Sequence, residues 1–155
     1  MHSRPVSEIM SAPVLTIEPD ALAADAARLM EENRVRRIIV VDQDGYICGI
    51  VTDADVLEAA TAERAINPYD PGFEEEWLSV RDVMTAEVIT IEPEAVIGQL
   101  VEKFMEIKIS GIPVVQPAGP RGGHLLPIGI VTETDIFRLI SEAWRADEAS
   151  HTTDQ

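Results

Sequence analysis

The chain has 155 residues, of which 28 are acidic and 12 are basic, so its formal net charge is −16 at pH 7. A field of that sign repels polyphosphate backbones and argues against general nucleic-acid binding and against docking on anionic membranes. Cys48 is the single cysteine, which excludes an internal disulfide, and no apolar run is long enough for a signal peptide or a membrane span. We therefore expect a soluble cytoplasmic protein, and its 46% apolar residues suffice for one domain or two subdomains.

The first half of the chain predicts the order strand, helix, strand, strand, helix. Residues 14–17 form a short strand, and Pro19 opens a helix that ends near residue 33. Residues 37–41 and 46–51 form a hairpin, because the turn between them ends in Asp44-Gly45, and Thr52 begins the second helix. The buried stripe of the first helix is predicted to contain Leu22, Ala26, Leu29, Met30 and Asn33.

The second half predicts the same order again. Its elements are a strand at 88–91, a helix near 95–107, strands at 112–115 and 126–131, and a helix near 133–146. Residues 63–79 form a tethered linker whose aromatic side chains contact the body of the protein. Residues 117–124 lengthen the second hairpin into a mobile surface loop, and residues 147–155 form a disordered tail.

Two motifs occur once in each half. The five residues ending at Met10 resemble the five ending at Met84, and residues 14–19 return at 88–93, so these positions lie 74 apart. The Gly-Ile-Val-Thr run at 49–52 returns at 129–132, which is 80 apart because the second copy carries an insertion. A long period with only two copies indicates a pair of packed units rather than an open solenoid.

Each Gly-Ile-Val-Thr run is followed by an acid three residues after its threonine. Thr52 with Asp55, and Thr132 with Asp135, have the spacing of a capping box, in which hydroxyl and carboxylate satisfy amides of the first helical turn. A helix start of this kind also presents amides and a hydroxyl to an anion. The spacing alone leaves a structural cap and a ligand site both open.

The residues before the second strand differ between the copies. Arg36 and Arg37 stand in the first copy where Ser110 and Gly111 stand in the second. An arginine here could supply the positive charge that a phosphate needs, or it could form a surface ion pair with Glu31. Ser110, Gly111 and Pro113 instead leave a bare backbone with room for a flat base, or simply form the turn into the strand.

Taken together, these motifs resemble a tandem pair of CBS domains, the modules named after cystathionine beta-synthase and also called a Bateman module. The resemblance covers residues 6–62 and 80–146. It implies an α+β fold of two β-α-β-β-α repeats related by a pseudo-twofold axis, with two clefts between the repeats that bind adenosine-containing ligands. In these clefts, the resemblance assigns ribose hydroxyls to Asp55 and Asp135, phosphate to Thr52 and Thr132, and further contacts to Ile17 and Thr90.

We therefore expect a stand-alone regulatory module that binds an adenine nucleotide (AMP, ADP or ATP), forms a homodimer and modulates a separate effector protein. The alternatives are a scaffold with empty clefts and a sensor of S-adenosylmethionine or another adenosyl compound. Catalysis is not expected, because the sequence offers no nucleophile with a matching base. A metal is not expected either, because the three histidines share no ligand spacing.

Overall fold

A computed structural model of the chain describes residues 1–66 and 78–153. The predicted linker lies largely outside the described residues, and with it Tyr69, Phe73 and Trp77. The strands and helices are, in chain order, β1 (Thr16–Ile17), α1 (Ala23–Asn33), β2 (Arg37–Val41), β3 (Ile47–Thr52), α2 (Asp53–Ile66), α3 (Val80–Val83), α4 (Ile97–Ile107), β4 (Gly111–Ala118), β5 (His124–Thr132) and α5 (Glu133–Thr153).

The chain divides into two compact units that do not coincide with the two repeats. One unit contains Met1–Pro13, Ile89–Gln116 and Ile128–Gln155, and the other contains Val14–Val88 and Pro117–Pro127. The segment that precedes the first repeat therefore folds with the second repeat, and the segment around α3, which precedes the second repeat, folds with the first.

The unit of the first repeat is built on the sheet β1-β2-β3. β1 runs parallel to β2, and β2 runs antiparallel to β3. The predicted hairpin turn is confirmed, because one Asp42 carboxylate oxygen accepts hydrogen bonds from the amides of Asp44 (2.9 Å) and Tyr46 (3.0 Å), and Gly45 adopts a φ of +85°. The core is formed by Ile17, Ala26, Met30, Ile38, Val40, Val51, Val56 and Val80.

The unit of the second repeat has a core of the same kind around α4 and α5. Its buried residues are Val6, Ile91, Leu100, Phe104, Ile112, Val114, Val131 and Ile136. The strand predicted at 88–91 is wrong, because only Ile91 pairs there, in a single parallel bridge with Val114. β4 pairs with β5 as predicted, although both strands are longer than expected.

Several element limits are corrected. α1 begins at Ala23, and Leu22 is its exposed N-cap, so Ala23 takes the buried place predicted for Leu22, while Asn33 is exposed at the end of the helix. The predicted tail is helical through Thr153, because α5 continues to that residue. β4 and β5 extend into the predicted loop at 117–124, residues 119–123 lie outside both strands with a 3-10 turn at Pro120–Gly122, and His124 stacks on Tyr46 with ring centroids 4.7 Å apart.

Met1–Pro13 and the residues around α3 each fold with the other repeat, and we call them the exchanged segments. They explain why methionine and glycine recur together in the motifs. Thr85, just after α3, exchanges two backbone hydrogen bonds with Ile50 of β3, and Ser11 does the same with Ile130 of β5. This brings the sulfur of Met84 onto Gly49 and the sulfur of Met10 onto Gly129, where a Cβ atom would overlap it. Each Gly-Ile-Val-Thr motif therefore begins with glycine because the methionine of an exchanged segment occupies the space of a side chain.

Candidate functional site

In the first repeat, Thr52 and Asp55 form a reciprocal capping box where β3 passes into α2. The Thr52 amide donates to Oδ2 of Asp55 (3.0 Å), and the Asp55 amide donates to Oγ1 of Thr52 (3.1 Å). Both side chains are half-buried. The other carboxylate oxygen of Asp55, Oδ1, takes part in none of the hydrogen bonds seen among the described residues, so it can accept one from a ligand.

In the second repeat, Thr132 and Asp135 meet where β5 passes into α5, with different partners. Oδ2 of Asp135 accepts hydrogen bonds from the Thr132 amide (2.8 Å) and hydroxyl (3.3 Å), while Oδ1 pairs with Arg138 (3.3 Å). Asp135 is only 6% exposed, so this carboxylate is held by its three contacts inside the protein.

One backbone hydrogen bond joins each helix start to the residue that precedes the strand. The Asp53 amide donates to the carbonyl oxygen of Arg36 (3.0 Å), and the Glu133 amide donates to that of Ser110 (3.1 Å). Arg36 and Ser110 lie 74 apart and Asp53 and Glu133 lie 80 apart, so the two bonds are equivalent in the repeats. The structure therefore brings the predicted pairs Thr52 and Asp55, and Thr132 and Asp135, beside Arg36 and Ser110 respectively.

Three other predicted site residues lie in or beside the core. Ile17 pairs with Val40 and its side chain is buried, so a ligand would meet only its backbone. Gly111 and Pro113 are buried in β4, and the Pro113 carbonyl accepts a hydrogen bond from the amide of Ile91 (3.1 Å). A ligand at Gly111 or Pro113 would therefore also contact only backbone atoms.

Thr90 is held by a residue that sequence reasoning missed. The Nζ atom of Lys103, on α4, donates to the Thr90 carbonyl at 2.7 Å. Leu29 stands at the equivalent position of the first repeat, 74 residues earlier, so only the second repeat has this contact. No local spacing points to it, because thirteen residues separate the two partners.

Arg36 lines an open groove of about 530 Å³ between α1 and α2. Glu31, Arg34 and Asp53 also line this groove, but neither Thr52 nor Asp55 does. The Arg36 side chain is exposed, and that of Arg37 is half-buried at the start of β2. The groove and the capping box are therefore neighbouring features that share the backbone around Arg36 and Asp53.

The sequence comparisons decide the family. The family model described as "CBS domain" matches the chain twice, at residues 6–62 and 80–142. The chain belongs to the CBS-domain family. Its α+β architecture is that of a CBS domain pair, as the solved structures it resembles also show.

Similar proteins share the CBS pair with this chain but are mostly longer. Protein MJ1404 of Methanocaldococcus jannaschii is 30% identical over 149 residues, which are 92% of this chain and 33% of that protein. L-aspartate semialdehyde sulfurtransferase of the same organism is 26% identical over 86% of this chain and 23% of the enzyme. The chain thus spans between about a quarter and a third of the length of these curated relatives.

Among solved structures, the CBS domain pair of protein MJ0100, in complex with 5′-methylthioadenosine and S-adenosyl-L-methionine, superposes with a TM-score of 0.73. It is 26% identical, and the match covers 90% of this chain and 98% of that one. A putative acetoin utilization protein, AcuB from Vibrio cholerae, has a TM-score of 0.72 at 22% identity over 94% of this chain and 96% of that one, which supports the fold alone.

Within the CBS pair, Arg138 is the second residue that sequence reasoning missed. It follows Asp135 by three residues, the spacing at which side chains on a helix meet, so the sequence did carry this signal. Glu58 stands at the equivalent position of the first repeat. The two helix starts of this CBS pair therefore differ in charge as well as in hydrogen bonding.

Residues 1–66 and 78–153 contain no group of three or more His, Cys, Asp or Glu side chains that could hold an ion. None of the helices in these residues is long and apolar enough to cross a bilayer.

Proposed function

We propose that this CBS pair is a regulatory module that binds an adenosyl ligand at its two helix starts and modulates a separate effector protein. The observation that carries the proposal is the repeated arrangement of a threonine, an aspartate and the strand-leading residue, joined by the same backbone hydrogen bond in both repeats. The MJ0100 pair, which this chain resembles along most of both chains, is in complex with two adenosyl compounds.

The first repeat has the chemistry for a phosphate-bearing ligand such as AMP, ADP or ATP. Oδ1 of Asp55 can accept a hydrogen bond from a ribose hydroxyl, and the exposed guanidinium of Arg36 or the neighbouring Arg37 would pair with phosphate. The second repeat offers Ser110 and the buried Gly111 instead, so a ligand without phosphate, such as S-adenosylmethionine, would meet less charge there.

A ligand-free interaction module is the second candidate, and one specific observation favours it. The threonine and aspartate of each repeat already satisfy one another as helix caps, and Asp135 also holds Arg138. A residue kept only as a cap needs no ligand to explain it.

Thermal unfolding of the full chain with AMP, ADP, ATP, NAD, 5′-methylthioadenosine and S-adenosylmethionine separates the two candidates. A ligand present at about a hundred times its dissociation constant adds about 2.7 kcal/mol, which raises the melting temperature by several degrees in a chain of this size. We expect such a shift with at least one compound and its loss in Asp55→Ala, Asp135→Ala or the double variant.

Asp82→Ala is the matched control, because Ser79 and Asp82 form a capping box at α3 that belongs to neither predicted site. This variant should lose stability and keep the ligand shift. Loss of the shift in Asp82→Ala as well would assign the effect of the aspartates to the fold, and absence of any shift in the unaltered chain would favour the interaction module.

We also propose that the chain forms a homodimer. The CBS-CP12 protein from bloom-forming cyanobacteria, which is 28% identical over 87% of this chain and 67% of that one, with a TM-score of 0.67, is hexameric. Light scattering would measure the mass of this chain in solution, and a mass of 17.0 kDa, that of one chain, would contradict the proposal.

A further inference from the structure

The carboxylates of Asp55 and Asp135 differ in how far they are occupied by their own chain. In the first repeat, Oδ2 of Asp55 accepts a hydrogen bond from the Thr52 amide (3.0 Å), and Oδ1 has no partner among the described residues. In the second repeat, Oδ2 of Asp135 accepts from both the amide and the hydroxyl of Thr132, and Oδ1 is held by Arg138 at 3.3 Å. The side chain of Asp135 is only 6% exposed, whereas Asp55 is half-buried. Only the first carboxylate therefore has an oxygen ready for a ligand.

The two threonine hydroxyls also differ in how their protons are used. The Thr52 hydroxyl oxygen accepts a hydrogen bond from the Asp55 amide (3.1 Å), and its proton is used in no hydrogen bond among the described residues. The Thr132 hydroxyl instead donates its proton to Oδ2 of Asp135 (3.3 Å), because an ionised carboxylate only accepts. The first helix start thus offers a ligand both a hydroxyl donor and a carboxylate acceptor, whereas the second has committed both to its own contacts.

The difference originates in the residue one turn further along each helix. Arg138 follows Asp135 by three residues on α5, and Glu58 stands at the equivalent place on α2, 80 residues earlier. An arginine at this spacing can pair with the carboxylate, whereas a glutamate repels it. The side chain of Arg138 is 61% exposed, so it reaches from the buried carboxylate of Asp135 to solvent. Arg138 therefore closes the second carboxylate, and Glu58 cannot do the same for Asp55.

Given the proposed function, on which this inference rests, we propose that Arg138, acting through Asp135, makes the two helix starts fill in order, the first repeat before the second. A ligand hydroxyl reaches Oδ1 of Asp55 without displacing a protein group. At Asp135 the same hydroxyl must first displace the guanidinium of Arg138. The second site therefore binds the same compound more weakly, by the fraction of molecules in which the ion pair is open.

Ordered filling gives the module two ranges of response to one compound. At low ligand concentration only the first helix start is occupied, and the pair of Asp135 with Arg138 stays closed. At higher concentration the second start also fills, and the exposed side chain of Arg138 loses its partner. The charge that α5 presents to an effector protein therefore changes only when the second site is occupied.

Calorimetric titration of the full chain with 5′-methylthioadenosine tests this order. The compound has no phosphate and no net charge, so its affinity does not report long-range attraction to arginine. The unaltered chain should bind it in two steps with unequal dissociation constants, and Asp55→Ala should remove the tighter step and keep the weaker one. Arg138→Gln, which removes the charge, should tighten the weaker step about fivefold, the value of a partly exposed ion pair.

Arg145→Gln is the matched control, because Arg145 is an exposed arginine on the same helix, seven residues or about two turns after Arg138. It removes the same charge from the same side of α5 and should leave both steps unchanged. Arg138→Lys should restore most of the closure, because lysine keeps a positive charge beside Asp135. If Arg138 served only to stabilise the fold, its substitution would weaken binding or leave it unchanged and could not tighten one step.

Titration with AMP distinguishes the opposite role, in which Arg138 binds the phosphate. Arg138→Gln would then weaken AMP binding and leave 5′-methylthioadenosine binding unchanged, and this result overturns the proposal. Two equal steps in the unaltered chain, or a weaker step that does not tighten in Arg138→Gln, also overturn it and leave the proposed function intact. Absence of binding by any adenosyl compound, in the unaltered chain and in Arg138→Gln alike, refutes the proposed function and the order of filling with it.

Discussion

The residues that cap the two equivalent helices show how one capping motif can acquire different electrostatics. Asp55 and Asp135 each accept a hydrogen bond from the threonine amide three positions earlier. The next turn of the helix then carries Glu58 in the first repeat and Arg138 in the second. The buried carboxylate of Asp135 thus has a cationic neighbour, whereas the half-buried carboxylate of Asp55 has an acidic one in sequence.

Arg138→Glu should therefore destabilise the second repeat. The substitution removes the Asp135 ion pair and places like charge beside a carboxylate that is almost fully buried. Because Arg138 is itself 61% exposed, we expect a loss of only about 1 kcal/mol in the free energy of unfolding by urea. Glu58→Arg is the matched control and should not destabilise, and equal losses in the two variants would show that the pair contributes nothing.

The capping box at α3 predicts a dependence of stability on pH. Hydrogen bonds from the backbone and side chain of Ser79 lower the pKa of Asp82 below its ordinary value of 3.8. A carboxyl whose pKa is lowered by folding stabilises the folded state above its unfolded pKa, and this contribution is lost as the pH falls through the lowered value. The difference in unfolding free energy between the unaltered chain and Asp82→Ala should be constant from pH 7 to about pH 5 and decrease in more acidic solution. A difference that stays constant into strong acid would contradict the assignment.

At the scale of elements, the exchanged segments tie each repeat to residues from elsewhere in the chain. Ser11 bonds to β5 and Thr85 bonds to β3, and each segment sets a methionine sulfur against a glycine. The contact depends on the absence of a side chain at Gly49 and Gly129, because a Cβ atom there would overlap the methionine sulfur.

Gly129→Ala should destabilise the chain by about 1–3 kcal/mol, since the added methyl group displaces Met10. Met10→Ala in the same chain should recover part of that loss, so urea unfolding of the two single variants and the double variant should be clearly non-additive. Gly98→Ala is the control, because that glycine lies in α4 with no atom closer than 3.6 Å to the added carbon, and it should stabilise slightly. Additive losses would contradict the contact between Met10 and Gly129.

The sequence predicted the helices and strands better than it predicted which segments pair and pack with one another. β2 is found at the predicted limits because a run of four apolar residues follows Arg37 and the Asp-Gly turn ends it, and α4 lies within its predicted range. The strand at 88–91 was wrong because apolar residues there pack into the core and form one bridge rather than a ladder. A repeat period assigns residues 1–13 to the repeat that follows them, so it could not reveal that they fold with the other one.

In the candidate sites, likewise, the sequence predicted contacts between residues close in the chain and missed a contact between distant ones. The local pairs Thr52 with Asp55 and Thr132 with Asp135 were predictable because three residues along the chain place them in one helical turn. The contact between Lys103 and the Thr90 carbonyl was not, since it depends on how α4 packs. Whether these residues bind a ligand stays a prediction.

At the scale of the whole molecule, the net charge of −16 acts against the compact state through mutual repulsion of the acidic groups. The ion pairs among the described residues each include a side chain that is more than 40% exposed, so they offset little of it. Added salt screens charges that lie more than about 10 Å apart at 0.1 M ionic strength. The melting temperature should therefore rise with sodium chloride concentration, and a fall would show that attractive pairs dominate.

Calorimetric titration of the full chain with S-adenosylmethionine, and separately with AMP, tests the central claim most directly. We predict saturable binding of at least one of them, retained in Asp82→Ala and lost when Asp55→Ala and Asp135→Ala are combined. The absence of binding by any adenosyl compound, in a chain that unfolds cooperatively, would contradict the account of this CBS pair as an adenosyl sensor.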